Sequence, residues 1–170
     1  MQSDISYIEK LSRGDVLLTF KANNFFSELI YLFSRKTKED PRISHALIYL
    51  GGKIAIESSF HGVQVINLKK YSSKKYILHA VRIKDIDIDA GLDYAFEHIG
   101  ASYSWLQLGW ILLKRIFKFN HKIDVSSSEF VCSEFVSEYA SAGKVQLSNE
   151  ISAESSPIDI YSSEKVEKVF

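Results

Sequence analysis

The chain has 170 residues, with 21 Lys and Arg against 21 Asp and Glu, 46% hydrophobic and 13% aromatic residues. That length and apolar content predict a single folded domain over residues 1–170 and exclude a disordered chain, while the zero formal net charge removes the electrostatic case for nucleic acid as the main partner. The one cysteine, Cys132, excludes an intramolecular disulfide and a Cys-rich zinc site.

Met1 to Lys10 contains no continuous apolar segment, and no run of about 18 uncharged apolar residues follows. The expectation is a cytoplasmic chain without a membrane span. A periplasmic or secreted chain trimmed of its signal would look the same.

Gly14-Asp15 opens the apolar run Val16 to Phe20, a short buried strand after a turn signal. Asn23 or Asn24 can cap a helix carrying Phe25, Phe26, Leu29, Ile30 and Phe33. After a charged loop ending at Pro41, Ile43 to Leu50 and Ile54 to Glu57 read as a hairpin around Gly51-Gly52. Gly62 to Leu68 and Tyr76 to Ile83 alternate as half-buried strands do. The period then becomes helical. Asp89 is the expected cap for Leu92, Ala95, Phe96 and Ile99, with Gly100 as the stop. Tyr103 to Phe119 forms a second, aromatic-rich helical stretch. Ser126-Ser127-Ser128-Glu129 offers a capping box for a helix through Cys132, Phe135, Val136 and Tyr139, closed by Gly143. The tail from Ile151 is serine-rich, punctuated by Pro157. Strands first and helices later predict an α+β domain around an antiparallel sheet.

Three residues carry the chemical interest. Cys132 lies within two turns of a helix start, where unpaired N–H groups favour a thiolate. A lone cysteine is most often an inert core residue, so its position leaves both readings open. His45 follows Ser44 at the head of the strongest β run. Glu57 ends the apolar strand Ile54-Ala55-Ile56, where a carboxylate is costly unless paired. Strand parity supplies a test. A strict two-residue turn pairs Ala46 with Glu57 and puts Glu57 on the face away from His45. A three-residue loop or a bulge pairs Leu47 with Glu57 and puts it on the His45 face.

Gly14-Asp15-Val16-Leu17-Leu18, Ser44-His45-Ala46-Leu47-Ile48-Tyr49, Ile56-Glu57-Ser58, Gly62-Val63, Gly100-Ala101-Ser102-Tyr103 and Val131-Cys132-Ser133-Glu134-Phe135-Val136 occur in that order, with Ser156-Pro157-Ile158-Asp159 near the end. As an ordered set, covering roughly residues 11 to 163, they resemble the circularly permuted NlpC-type papain-like hydrolases, specifically the YiiX/YaeF-like amidases. The resemblance implies an antiparallel, barrel-like sheet with the cysteine helix packed against it. It also implies that Cys132 is the nucleophile, His45 the base and Glu57 the group orienting the imidazole, a trio the chemistry of thiol hydrolysis requires. Lecithin:retinol acyltransferase-like enzymes share the scaffold, with a histidine at the position of Glu57 and an Asn-Cys-Glu-His-type segment where this chain has Val131-Cys132-Ser133-Glu134. Both departures favour the amidase branch.

The resemblance also places Tyr103 by the site as an oxyanion or substrate-binding residue, beside the Cys132 backbone N–H. His61, four residues past Glu57, is a candidate neighbour. The remaining histidines lack ligand spacing, so neither metal nor cofactor is expected. Trp105 to Phe119 reads as a helix packed on the sheet, or as an apolar surface that could contact lipid or a membrane. The expected activity is hydrolysis of an amide in a cell-wall or other small peptide. A lipid-directed thiol esterase or acyltransferase is the alternative, and a catalytically silent binding module stands in a third class.

Overall fold

A computed structural model describes residues 6–103, 129–147 and 155–170. A 3₁₀ turn (Ser6–Lys10) leads to β1 (Val16–Lys21), α1 (Phe25–Ser34), β2 (His45–Gly51), β3 (Ile54–Ser59), β4 (Gly62–Asn67), a second 3₁₀ turn (Leu68–Tyr71) and β5 (Tyr76–Ile83). Then come α2 (Ile88–Glu97), the short β6 (Ser102–Tyr103) and β7 (Glu129–Phe130), α3 (Cys132–Ala142), α4 (Pro157–Ser162) and β8 (Val166–Lys168). Six strands form one antiparallel sheet in the order β4-β3-β2-β1-β5-β8, and β6 pairs with β7 in parallel. The α+β class expected from the pattern is what the fold has.

Strand alternation divides the core into two layers. Val16, Leu18, Ala46, Ile48, Ile56 and Val81 face α2 and α3, where they meet Leu92, Phe135, Val136 and Tyr139. Leu17, Leu47, Tyr49, Ala55 and Ala80 face the other way, against Leu68 and Tyr71 of the second 3₁₀ turn. The layers thus carry different machinery: the cysteine helix on one side, the 3₁₀ turn on the other.

Several contacts fix α3. Tyr139 is fully buried, and its Oη donates to the Gly14 carbonyl at 3.1 Å. Gly91 of α2 lets the helices approach closely, since a Cβ there would stand 2.7 Å from Tyr139 Cε2. At the other end, Ser133 Oγ donates to the Ser155 carbonyl at 2.6 Å. Asp159 of α4, almost fully buried, pairs with Lys36 Nζ at 2.7 Å, so the Ser156 to Asp159 element ties the loop ahead of β2 to the segment beside α3.

Three helix boundaries differ from expectation. Asp87, not Asp89, caps α2, accepting from Ala90 N at 3.2 Å; the helix takes in Ile88, and Asp89 falls inside its first turn. The same helix ends at Glu97 with His98 as its C-cap, so Gly100 lies past the stop. For α3, the cap is Val131 rather than Ser126, Ser127 or Ser128, because Glu129 and Phe130 form β7; the Val131 N–H donates to Glu134 Oε2 at 3.4 Å. Cys132 is therefore the first residue of its helix. The other expected boundary, Gly143 closing this helix, is present. The helical stretch expected from Tyr103 to Phe119 does not begin at Tyr103, whose backbone pairs with Phe130 as part of β6; the rest of it, including Trp105 to Phe119, lies outside the described residues, as does the side chain of Tyr103. Among the described residues no helix is long and apolar enough to cross a membrane.

Candidate active site

The register of β2 and β3 decides which way Glu57 points. Leu47 pairs with Glu57, and the ladder shifts between Tyr49 and Gly51. This is the bulged alternative of the parity test, so Glu57 shares the face of Leu47 and His45. Its side chain has 0% exposure, whereas that of His45 retains 20%. The His45 Nε2 stands 3.0 Å from Glu57 Oε2, which leaves Nδ1 as the ring nitrogen available to Cys132 on the same cleft.

The cysteine and the histidine come from opposite layers of the sheet. Cys132 opens α3, His45 is the first residue of β2, and the two meet at that end of the strand. At the first position of a helix the backbone N–H has no intrahelical acceptor, so Cys132 combines a sulfur beside an imidazole with an N–H able to serve an oxyanion. Cys132 itself is 6% exposed, yet it lines a cleft of about 360 Å³ together with His45, His61, Lys21, Phe26 and Tyr71. His61 thus lies on the same cleft. The backbone of Tyr103 pairs with Phe130 in the short parallel ladder, two residues from Cys132.

Glu57 is a hub. Its Oε2 also accepts from Tyr71 Oη at 2.5 Å, and its Oε1 accepts from Lys70 Nζ at 2.6 Å and Gln64 Nε2 at 3.4 Å. Burial alone would push this carboxyl's pKa up. The hydrogen bond and charge of His45, followed by Lys70 and Tyr71, overcome that and hold it well below the usual carboxylate range. Burial likewise opposes a charged His45, but the charge and hydrogen bond of Cys132, reinforced by Glu57, hold the imidazole above its ordinary value. Tyr71 is driven far up, by burial and then by Glu57, which keeps it a hydroxyl donor. Its ring stacks on His45 at 6.4 Å between centroids, tilted by 26°, and meets Tyr76 edge-on at 4.9 Å.

Lys70, Tyr71 and Gln64 were not legible as site residues. They reach Glu57 because β4 runs antiparallel to β3 and the 3₁₀ turn then folds Lys70 and Tyr71 back over the same face. A Lys-Lys-Tyr tripeptide after a strand carries no spacing that announces such a return. Among the described residues, no three His, Cys, Asp or Glu side chains come together as a metal-holding group.

No family model matches the chain, and no curated protein sequence matches it significantly.

Proposed function

We propose that the protein is a thiol hydrolase of amide bonds, with Cys132 as nucleophile, His45 as proton carrier and Glu57 as the carboxylate that orients and stabilises the imidazolium, on a permuted papain-like scaffold. The observation that carries this reading is the position of His45, which shares a cleft with Cys132 and holds its Nε2 3.0 Å from the buried Glu57 carboxylate. The histidine strand precedes the cysteine helix in the chain, as the resemblance to YiiX/YaeF-like amidases implies.

In the reaction, the Cys132 thiolate attacks the amide carbonyl carbon, and the oxyanion takes the helix-end N–H of Cys132. The C–N bond breaks as His45 passes its proton to the departing amine, leaving a thioester. His45, now neutral, takes a proton from water, whose oxygen attacks the thioester carbonyl. The C–S bond breaks, releasing a carboxylic acid and restoring the thiolate–imidazolium pair. Glu57 stays ionised throughout, since Lys70, Tyr71 and His45 all favour its charged form.

The test is labelling of the single cysteine by an activity-based thiol probe, with His45→Ala beside the wild type, followed by product analysis on cell-wall peptides and phospholipids. Rapid labelling that needs His45, with amine release from peptides, supports the amidase. Ester cleavage alone would move the protein to the lipid-directed branch, and labelling no faster than that of a free thiol would leave a binding module.

A further inference from the structure

We propose that the Cys132 cleft takes an amide flanked on one side by an apolar group and on the other by a carboxylate, and that Lys21 is the residue that reads the carboxylate. This rests on the thiol hydrolase reading and names its substrate class.

The apolar flank is defined by three phenylalanines. Phe26 and Phe60 line the cleft with 46% and 45% exposure, and Phe25 beside them is 73% exposed. Their rings form a continuous edge-to-face cluster, Phe25 to Phe26 and Phe26 to Phe60, each pair at 5.8 Å. Large aromatic surfaces left open to water at the mouth of a cleft mark a place for an apolar ligand group. Ile30 extends that wall from α1 into the same cleft.

The charged flank comes from β1. Lys21 and Lys70 both line the cleft, and among the described residues no Asp or Glu does. The Lys70 ammonium is already held by Glu57 at 2.6 Å. Lys21, at the exposed end of β1, lies 6.0 Å from the centroid of the Tyr76 ring and has no carboxylate at ion-pair distance among the described residues. In the sheet, β2 with His45 stands between β3, which leads to Phe60, and β1, which ends at Lys21. A scissile carbonyl over Cys132 would therefore have Phe60 toward β3 and Lys21 toward β1, with Phe26 of α1 reaching across to meet Phe60. A cation on a cleft that no described carboxylate lines attracts anionic ligands and does so less at high salt.

The full-length protein can be tested through its one cysteine. Iodoacetate and iodoacetamide differ in charge and little in shape, and the mass of the intact chain reports the rate of each. Lys21→Met should slow iodoacetate by about threefold or more and change iodoacetamide by less than about twofold, with Lys21→Arg retaining the preference for the anion and high salt abolishing it in the wild type. Equal effects on both reagents, or none, would overturn the role of Lys21. Protection against iodoacetamide tests both flanks together. Hippurate, an aromatic amide bearing a carboxylate, should protect better than N-benzoylglycinamide, which lacks the charge, and better than N-acetylglycine, which lacks the ring. Phe26→Ser should erase the advantage over N-acetylglycine alone. Equal protection by all three would overturn the proposal even if Cys132 alkylates rapidly with help from His45, so this failure is distinct from failure of the hydrolase reading.

Discussion

Glu57 stands directly across from Leu47 in the β2–β3 ladder, and that register, offset by one residue from the tight-turn alternative, aims its carboxylate at His45. A one-residue slip would reverse every side chain of β3, sending Glu57 into the apolar layer of Ile56 and Phe135. The bulge near Gly51 thus sets which face of the sheet Glu57 occupies. Gly51 and Gly52 both have positive φ, 117° and 59°, conformations that favour glycine.

Glu57→Gln should lower turnover by about 10²- to 10⁴-fold, the range expected when an imidazole loses its orienting charge. Its effect on stability should be smaller, because the freed Lys70 side chain is 44% exposed and can rehydrate. The pair of measurements is kcat on a cleaved amide and the urea midpoint. Full activity in the variant would remove Glu57 from the mechanism, and His61 on the same cleft would be the next residue to replace.

Much of this site was readable in the sequence because it depends on local rules. The trio of His45, Glu57 and Cys132 is what the ordered motifs of the family resemblance imply, while period and turn chemistry supplied the two registers of strand parity and a helix carrying Phe135, Val136 and Tyr139 toward the sheet. What could not be read depends on the return of distant chain. Lys70 and Tyr71 meet Glu57 through a 3₁₀ turn, and β8 completes the sheet with only three residues, Val166 to Lys168, too short for a period. The α3 cap was misplaced because three consecutive serines outscore a valine at a helix start, while pairing of Glu129 and Phe130 with β6 delays the helix until Cys132.

Tyr71→Phe should destabilise the fold while sparing the triad's composition. The hydroxyl is buried and bonded to an ionised carboxylate, and such a bond is worth about 1.5–3 kcal/mol. The midpoint of urea unfolding should fall accordingly, with an unchanged m-value. A shift of less than about 0.5 kcal/mol would mean that Glu57 relies on Lys70 and His45 instead.

The pH dependence of stability should show a plateau with two limbs. His45 has a folded pKa above its unfolded value of about 6.5, so its contribution is complete below that pH and is lost as pH rises through the folded value. Glu57 has a folded pKa below its unfolded value of about 4.3, so its contribution is complete above that pH and is lost as pH falls toward the folded value. Urea midpoints across pH should therefore be highest between about 4.3 and 6.5, and Glu57→Gln should remove the acid limb and reduce the alkaline one, whose larger cause is Cys132. An unaltered profile in the variant would detach the two residues from stability.

Gly91→Ala separates helix propensity from packing. In an exposed helix this substitution stabilises by about 1 kcal/mol, and Gly91 sits inside α2. Here the added methyl would meet Tyr139 Cε2 at 2.7 Å, Cδ2 at 2.9 Å and the Tyr139 carbonyl oxygen at 2.9 Å, all nearer than real methyl contacts allow. Tyr139 has little freedom to retreat, because its hydroxyl is bonded to the Gly14 carbonyl and its side chain is fully buried. Overpacking of this kind costs about 1–3 kcal/mol, so the sign should reverse and the variant should be less stable. The strain also bears on function, since α2 is the element that presses on α3, whose first residue is Cys132. If α2 retreats and α3 holds its place, Cys132 alkylation should keep its wild-type rate while the unfolding midpoint falls. If α3 moves with it, both should fall together. A variant more stable than the wild type would show that α2 and α3 do not meet as closely as the Gly91–Tyr139 contact requires.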